Sequence, residues 1–166
     1  MRMEAMAVEV PYVDKHPNRV PFEGVLTVVN AASDRAPAGA RGHRVMLTRD
    51  AAEKALASLV GMAVDYRPGW DGHDARRKIG LVTEADVIGP RLMVRGYLYA
   101  RDFPEVTRAI EAHAPEMLGM SYELADARVE DMRAEIWKLT RVTFTGAAIL
   151  LRDKAAYRAT SFRMAS

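Results

Sequence analysis

A serine hydroxyl is a poor nucleophile until a base takes its proton, and histidine is the usual base near neutral pH. This chain carries one of each in settings that such chemistry could use. His73 lies in the loop Gly69-Trp70-Asp71-Gly72-His73-Asp74, and Ser121 lies in Leu118-Gly119-Met120-Ser121-Tyr122-Glu123-Leu124, which reads as the start of a strand. Side chains alternate along a strand, so Glu123 shares a face with Ser121. No Gly-x-Ser-x-Gly elbow surrounds the serine, which sets the chain apart from the α/β-hydrolases.

Two other readings stand beside this one. Asp65, Asp71, His73 and Asp74 fall within ten positions and offer oxygen and nitrogen ligands, although neither HExxH nor EF-hand spacing is present. The blander alternative is a polar surface loop at His73 and a small packing residue at Ser121. The remaining histidines have simpler roles. His16 precedes Pro17, His43 opens a short strand, and His113 ends a helix, where a cation complements the dipole.

The elements that must position these residues follow from periodicity and turn chemistry. Residues 1–21 mix Pro, His, Asn and charge and read as a loosely ordered lead-in, leaving 22–166 as a single domain. Phe22–Asn30 is β-branched and apolar, a buried strand, and Ala31–Gly42 is a long, mobile loop rich in Pro and Gly. A short strand at His43–Leu47 precedes Thr48, which is placed to cap a helix from Arg49 to about Val60, with Gly61 as the stop. Met62–Tyr66 reads as a strand leading into the histidine loop. Ile79–Val87 and Arg91–Ala100 form a hairpin around Ile88-Gly89-Pro90, its second arm alternating at Leu92, Val94, Gly96 and Leu98. Asp102, Pro104 and Glu105 have the spacing of a capped second helix, which Pro115 ends. Strands then return at Met120–Ala127 and Ile136–Thr145 around a charged turn at Glu130-Asp131, and a helical turn follows at Asp153–Tyr157. The expected fold is α+β, a mainly antiparallel barrel or pair of packed sheets flanked by two or more helices.

Composition narrows the function classes. The chain has 166 residues, 49% of them hydrophobic, enough for one real core. Lys and Arg number 24 against 22 Asp and Glu, so the formal charge of +2 supplies no nucleic-acid arm. Arg76-Arg77-Lys78 is too short for one and reads as a solvated loop edge. Tyr97 and Tyr99 beside Arg95 and Arg101 could stack single-stranded bases, but amphipathic strand packing explains them more simply. The chain has no cysteine, which excludes disulfides, thiol catalysis and thiolate metal sites. No stretch approaches a membrane span, and the charged N-terminus has no signal-peptide core, so a soluble, non-exported protein is expected.

Several segments, taken in order, resemble the phage prohead proteases, capsid-maturation serine proteases that share a fold with herpesvirus assemblins. Gly72-His73-Asp74 followed by Lys78-Ile79-Gly80 is similar to the family's histidine loop and strand. Val94-Arg95-Gly96-Tyr97-Leu98 resembles its v-x-G-x-L strand, and Leu118-Gly119-Met120-Ser121 its nucleophile strand. The run Leu139–Ile149 looks like the strand that follows, and Ala155–Phe162 suits phage members. The likeness covers about residues 22–162.

The resemblance implies Ser121 as nucleophile and His73 as general base. It implies Arg152 as the nearest match to the assemblin arginines at the oxyanion hole. Many phage members carry an acid on the strand after the serine. Here Arg141 stands at the corresponding position, leaving Glu123 or Asp65 as substitutes, or a bare Ser–His dyad. The implied substrates are scaffold and major capsid protein inside an immature capsid in the bacterial cytoplasm, with self-cleavage and self-association as further expectations. No cofactor, metal, membrane or nucleic acid is implied. The rival from another class is a non-catalytic capsid assembly or scaffold-associated protein on the same fold.

Overall fold

In a computed structural model, residues 16–164 are described. The expected lead-in lies outside them as far as Lys15, as do Ala165 and Ser166. The strands are β1 (Arg19–Val28), β2 (Arg44–Leu47), β3 (Ala63–Asp65), β4 (Lys78–Ile88), β5 (Arg91–Tyr99), β6 (Leu118–Val129), β7 (Ile136–Leu151) and β8 (Ser161–Met164). The helices are α1 (Arg49–Ala55) and α2 (Pro104–Ala112).

All eight strands belong to one curled sheet, in the order β2-β7-β3-β4-β5-β1-β8, with β6 on the other edge of β7. β7 is the organising strand. It pairs antiparallel with β6 along one edge; on the opposite edge its first part pairs with β2 and its last part with β3, both parallel. The expected fold class holds, with this correction: the pairings of β2 and β3 with β7 are parallel, because both strands reach β7 by crossovers rather than by hairpins. The concave side carries the core, including Phe22, Leu26, Val64, Met120, Phe144 and Ile149. β6 and β8 approach each other at the open seam, and Gly24 of β1 lies so close to the Met120 sulfur that a Cβ would overlap it.

Most local expectations hold within a few residues. The hairpin is β4–β5, with Leu92, Val94 and Leu98 buried. Thr48 Oγ1 accepts from Ala51 N at 3.1 Å, the N-cap of α1. The helix stops earlier than expected, giving way to a 3-10 turn over Leu56–Ser58. Ser58 Oγ donates to Ala55 O at 2.6 Å and accepts from Phe144 N at 3.0 Å, tying the chain to β7 instead of continuing the helix. The Ala31–Gly42 segment is a loop with fixed anchor points: Ser33 Oγ accepts from Val45 N at 3.0 Å, and Tyr157 donates to Ala31 O at 3.1 Å.

Two local expectations fail. Asp102 does not cap α2; its carboxylate accepts from Asn18 Nδ2 at 2.8 Å, and Phe103 occupies the cap without a side-chain bond. The strand β8, which pairs with β1 over Phe22–Val25, carries no turn signal or long apolar run that marks it in sequence.

Candidate active site

Strand β6 shows its two faces clearly. Leu118 and Met120 point into the core, and Tyr122 packs edge-on against Phe144 at 5.5 Å. Burial pushes the Tyr122 hydroxyl up to about 12. The alternate residues Gly119, Ser121 and Glu123 form the outer face. Their partners on β7 are Leu150, Ala148 and Gly146. Glu123 occupies space that a side chain at residue 146 would take, since a Cβ there would stand 2.9 Å from its Oε2.

The histidine loop lies over this face and is held at several points. Leu151 N donates to Trp70 O at 2.8 Å, joining the loop to the end of β7. The Trp70 ring packs between Tyr66 (5.2 Å) and His113 (5.8 Å). Gly69 has φ +92°, a left-handed conformation that glycine adopts without Cβ strain. Arg67 folds across the loop to Asp71, Nε to Oδ1 at 2.8 Å. Asp74 accepts from both the backbone N and Nε of Arg76 at 3.1 Å. These hydrogen bonds hold the Asp71 and Asp74 carboxyls below the usual carboxylate value.

Within this frame His73 is largely buried, its side chain 14% exposed, with its Nδ1 between two acids. Asp65 Oδ1 stands 3.6 Å away and Glu123 Oε1 3.8 Å away. Asp65 comes from the end of β3 and is 7% exposed at its side chain, whereas Glu123 is 51% exposed. Neither ring nitrogen has a hydrogen-bond partner, so Ser121 and His73 are not hydrogen-bonded to each other. With Nδ1 toward the acids, Nε2 is the nitrogen left to act as a base. That is the division of labour a serine–histidine–acid site needs.

Pairing register supplies the rest of the geometry. Ser121 pairs with Ala148, and Ala148 pairs with Asp65, so Ser121 and Asp65 lie in one row with β7 between them. The residues of β7 in this part of the outer face are Gly146 and Ala148, which leave room above the sheet for an imidazole.

The acids beside His73 are Asp65 and Glu123, the two substitutes left open by Arg141 at the expected acid position. Arg141 pairs with Arg128, far along the ribbon from Ser121, and is exposed. The neighbour of Ser121 on β7 is Ala148, so the acids near His73 come from β3 and β6 instead. Arg152 lies in the 3-10 turn after β7, and a Cβ on Gly119 would stand 3.3 Å from the Arg152 Cα. It therefore flanks the nucleophile strand one outward position before Ser121, and its Nε is buried without a partner.

The four metal-ligand candidates do not converge. Among the described residues no group of three or more His, Asp and Glu could hold a metal ion. Asp71 is engaged by Arg67, and Asp74 by Arg76 and Arg77. His43 stacks on Trp137 at 4.5 Å, and His113 Nδ1 lies 2.7 Å from Ala109 O at the end of α2. Tyr97, considered as a base platform, is covered by the Arg19 guanidinium at 4.4 Å. A groove of about 360 Å³ opens beside the two acids, lined in part by Val60, Met62, Lys78 and Gly146.

Sequence reasoning did not find Ala148 and Gly146 as site residues. Their only signal was the run Gly146-Ala147-Ala148, three small residues in an otherwise bulky strand.

No protein-family model matches the chain, and no curated protein matches it. Among solved structures, it is similar to KSHV protease in complex with a hexapeptide phosphonate inhibitor, with a TM-score of 0.54 and 11% sequence identity. The match covers 89% of this chain but 65% of that one, so the chain spans about two thirds of the protease's length. The fold is therefore assemblin-like.

Proposed function

We propose that this chain is a serine endopeptidase of the prohead-protease kind, cleaving scaffold and capsid-protein segments during phage capsid maturation. The observation that carries the reading is the burial of His73 between Asp65 and Glu123, on the sheet face that presents Ser121. Ser121 Oγ attacks the scissile carbonyl as His73 Nε2 takes its proton. The same nitrogen then protonates the leaving amine, and water hydrolyses the acyl-enzyme by the reverse sequence. Arg152 and nearby backbone N–H groups are the candidates to receive the developing oxyanion.

The setting follows from the same resemblance: an immature capsid in a bacterial cytoplasm, with the protease concentrated beside its substrates and able to cut its own chain or self-associate. One observation favours the non-catalytic alternative, a capsid-assembly protein on this fold: the missing hydrogen bond between Ser121 and His73. Catalytic hydrogen bonds are often unformed in free enzymes and tighten with substrate, so the protease reading stands beside that observation.

The test is intact-mass analysis of wild type and Ser121→Ala, each incubated with phage scaffold and capsid protein and, separately, with a peptidyl phosphonate. Discrete cuts, and one phosphonate adduct on Ser121, are expected for wild type and neither for the variant. Intact substrates and no adduct at high protein concentration would overturn the protease and leave the assembly protein.

A further inference from the structure

The geometry points to Asp65, rather than Glu123 or any residue of the strand after the serine, as the positioning residue that orients His73. This rests on the Ser121–His73 reading above and adds its third member. Both acids lie at nearly the same distance from Nδ1, so distance does not choose between them. Three other features do.

The first is burial. Asp65 is 7% exposed and Glu123 51%. A half-solvated carboxylate is screened by water and salt, and its longer side chain loses more rotamer freedom when held in one place. The second is fixation. Asp65 Oδ1, the atom nearest the ring, also accepts the backbone N–H of Asp74 at 3.1 Å. One carboxylate oxygen therefore faces the imidazole and anchors the residue next to it in sequence. The acid cannot turn without moving the histidine loop.

The third feature is the row across the sheet. Ser121, Ala148 and Asp65 sit on three adjacent strands at one level. Two strand spacings are about 9.6 Å. An imidazole hydrogen-bonded at both ends spans roughly 8 Å between its oxygen partners. A ring over Ala148 thus fits between the two ends. Glu123 stands on the nucleophile's own strand, about 6.6–6.8 Å along it. A ring aimed from Glu123 toward Ser121 would have to turn back on the strand both residues come from.

The charged groups around His73 are consistent with this assignment. Asp65 reaches it from β3 and Glu123 from β6, while β7 contributes none. On its own loop Asp71 is turned to Arg67, and Asp74 to Arg76 and Arg77. Lys78 lies on the groove wall with both acids.

The experiment combines a readout of the ring with a readout of reaction, on the full chain. Nitrogen-15 NMR shows which ring nitrogen of neutral His73 carries the proton in wild type, Asp65→Asn and Glu123→Gln, and phosphonate labelling of Ser121 gives the rate. Asn keeps an oxygen to accept from Asp74 N, so the loop anchor survives the change. Wild type is expected to hold the proton on Nδ1, facing the acids, and Asp65→Asn to lose that preference. Labelling should slow by about 10³- to 10⁴-fold. Glu123→Gln should keep the Nδ1–H tautomer and slow labelling less than about tenfold, and Asp65→Glu should recover part of the lost rate.

An equal or larger effect from Glu123→Gln, or an unchanged tautomer in Asp65→Asn, would overturn the assignment. Absence of labelling in wild type would sink the protease reading instead, while the tautomers still judge Asp65. Should Asp65→Asn fail to fold, Glu123→Gln decides alone: an unchanged tautomer supports Asp65, and loss of the Nδ1–H form refutes it.

Discussion

The two faces of the β6–β7 ribbon are built on opposite principles. The inner face carries Leu118, Met120, Phe144 and Ile149, each at most 2% exposed, and holds the barrel together by volume. The outer face in the same stretch carries Gly119, Ser121, Gly146 and Ala148 between Leu150 and Glu123, and its use depends on what is left out. Small residues there let the His73 loop and Arg152 come down onto the sheet. Identical backbone thus serves packing on one side and, in the proposed protease, chemistry on the other, because the alternation of strand side chains keeps the two sets apart. Substitutions on the inner face should cost stability; those on the outer face should cost reaction.

The sharpest way to break this comparison is Ala148→Leu. Filling the space between Ser121 and Asp65 should displace the imidazole and slow phosphonate labelling of Ser121 by about 10²-fold or more. The overpacking itself should cost only about 1–3 kcal/mol by urea titration. Labelling at the wild-type rate would mean that the ring works from another place.

Met120→Ala makes the opposite demand. It empties part of the core and should lower stability by about 2–5 kcal/mol, read as a melting temperature lower by roughly 5–20 °C. The folded fraction should label at the wild-type rate. A large loss of rate in folded protein would show that the two faces are coupled.

A smaller effect comes from acid. Asp71 and Asp74 have carboxyls held below the ordinary value near 3.8 by their arginine partners, so both bind protons more weakly folded than unfolded. Their contribution is complete above that value and is lost as pH falls through the lowered folded values. Hydrogen exchange of amides in residues 69–77 should therefore speed up below pH 4 before that of β7. Uniform acceleration across the domain would show that the loop is not separately held by these pairs.

Much of the fold was legible, for local reasons. Thr48 caps α1 because its side chain reaches a backbone N–H three residues on, and the β4–β5 hairpin follows from its alternation and its Gly-Pro turn. Asp102 misled because a capping box is only a spacing, and Asn18, distant in sequence, captured the carboxylate first. Strand period placed Glu123 on the face of Ser121, while its nearness to the histidine comes from the fold. Arg141 lies away from Ser121 because order along the chain does not give the pairing: its partner on β6 is Arg128, and the slips between Glu123 and Arg128 cancel, leaving Ala148 opposite Ser121.

What the sequence by itself determined is therefore periodic or adjacent: Ser121 and Glu123 on one strand face, His73 in a glycine-flanked loop, and a core face opposite. What only the tertiary structure decided is which strand lies on the far side of the nucleophile. Asp65 reaches the row of Ser121 through the parallel pairing of β3 with β7, a contact between residues far apart in the chain. No local pattern encodes that pairing, because it comes from the strand order of the whole sheet. The same order puts two of the smallest residues of β7 beneath the histidine loop, where their lack of side chain makes room for the ring.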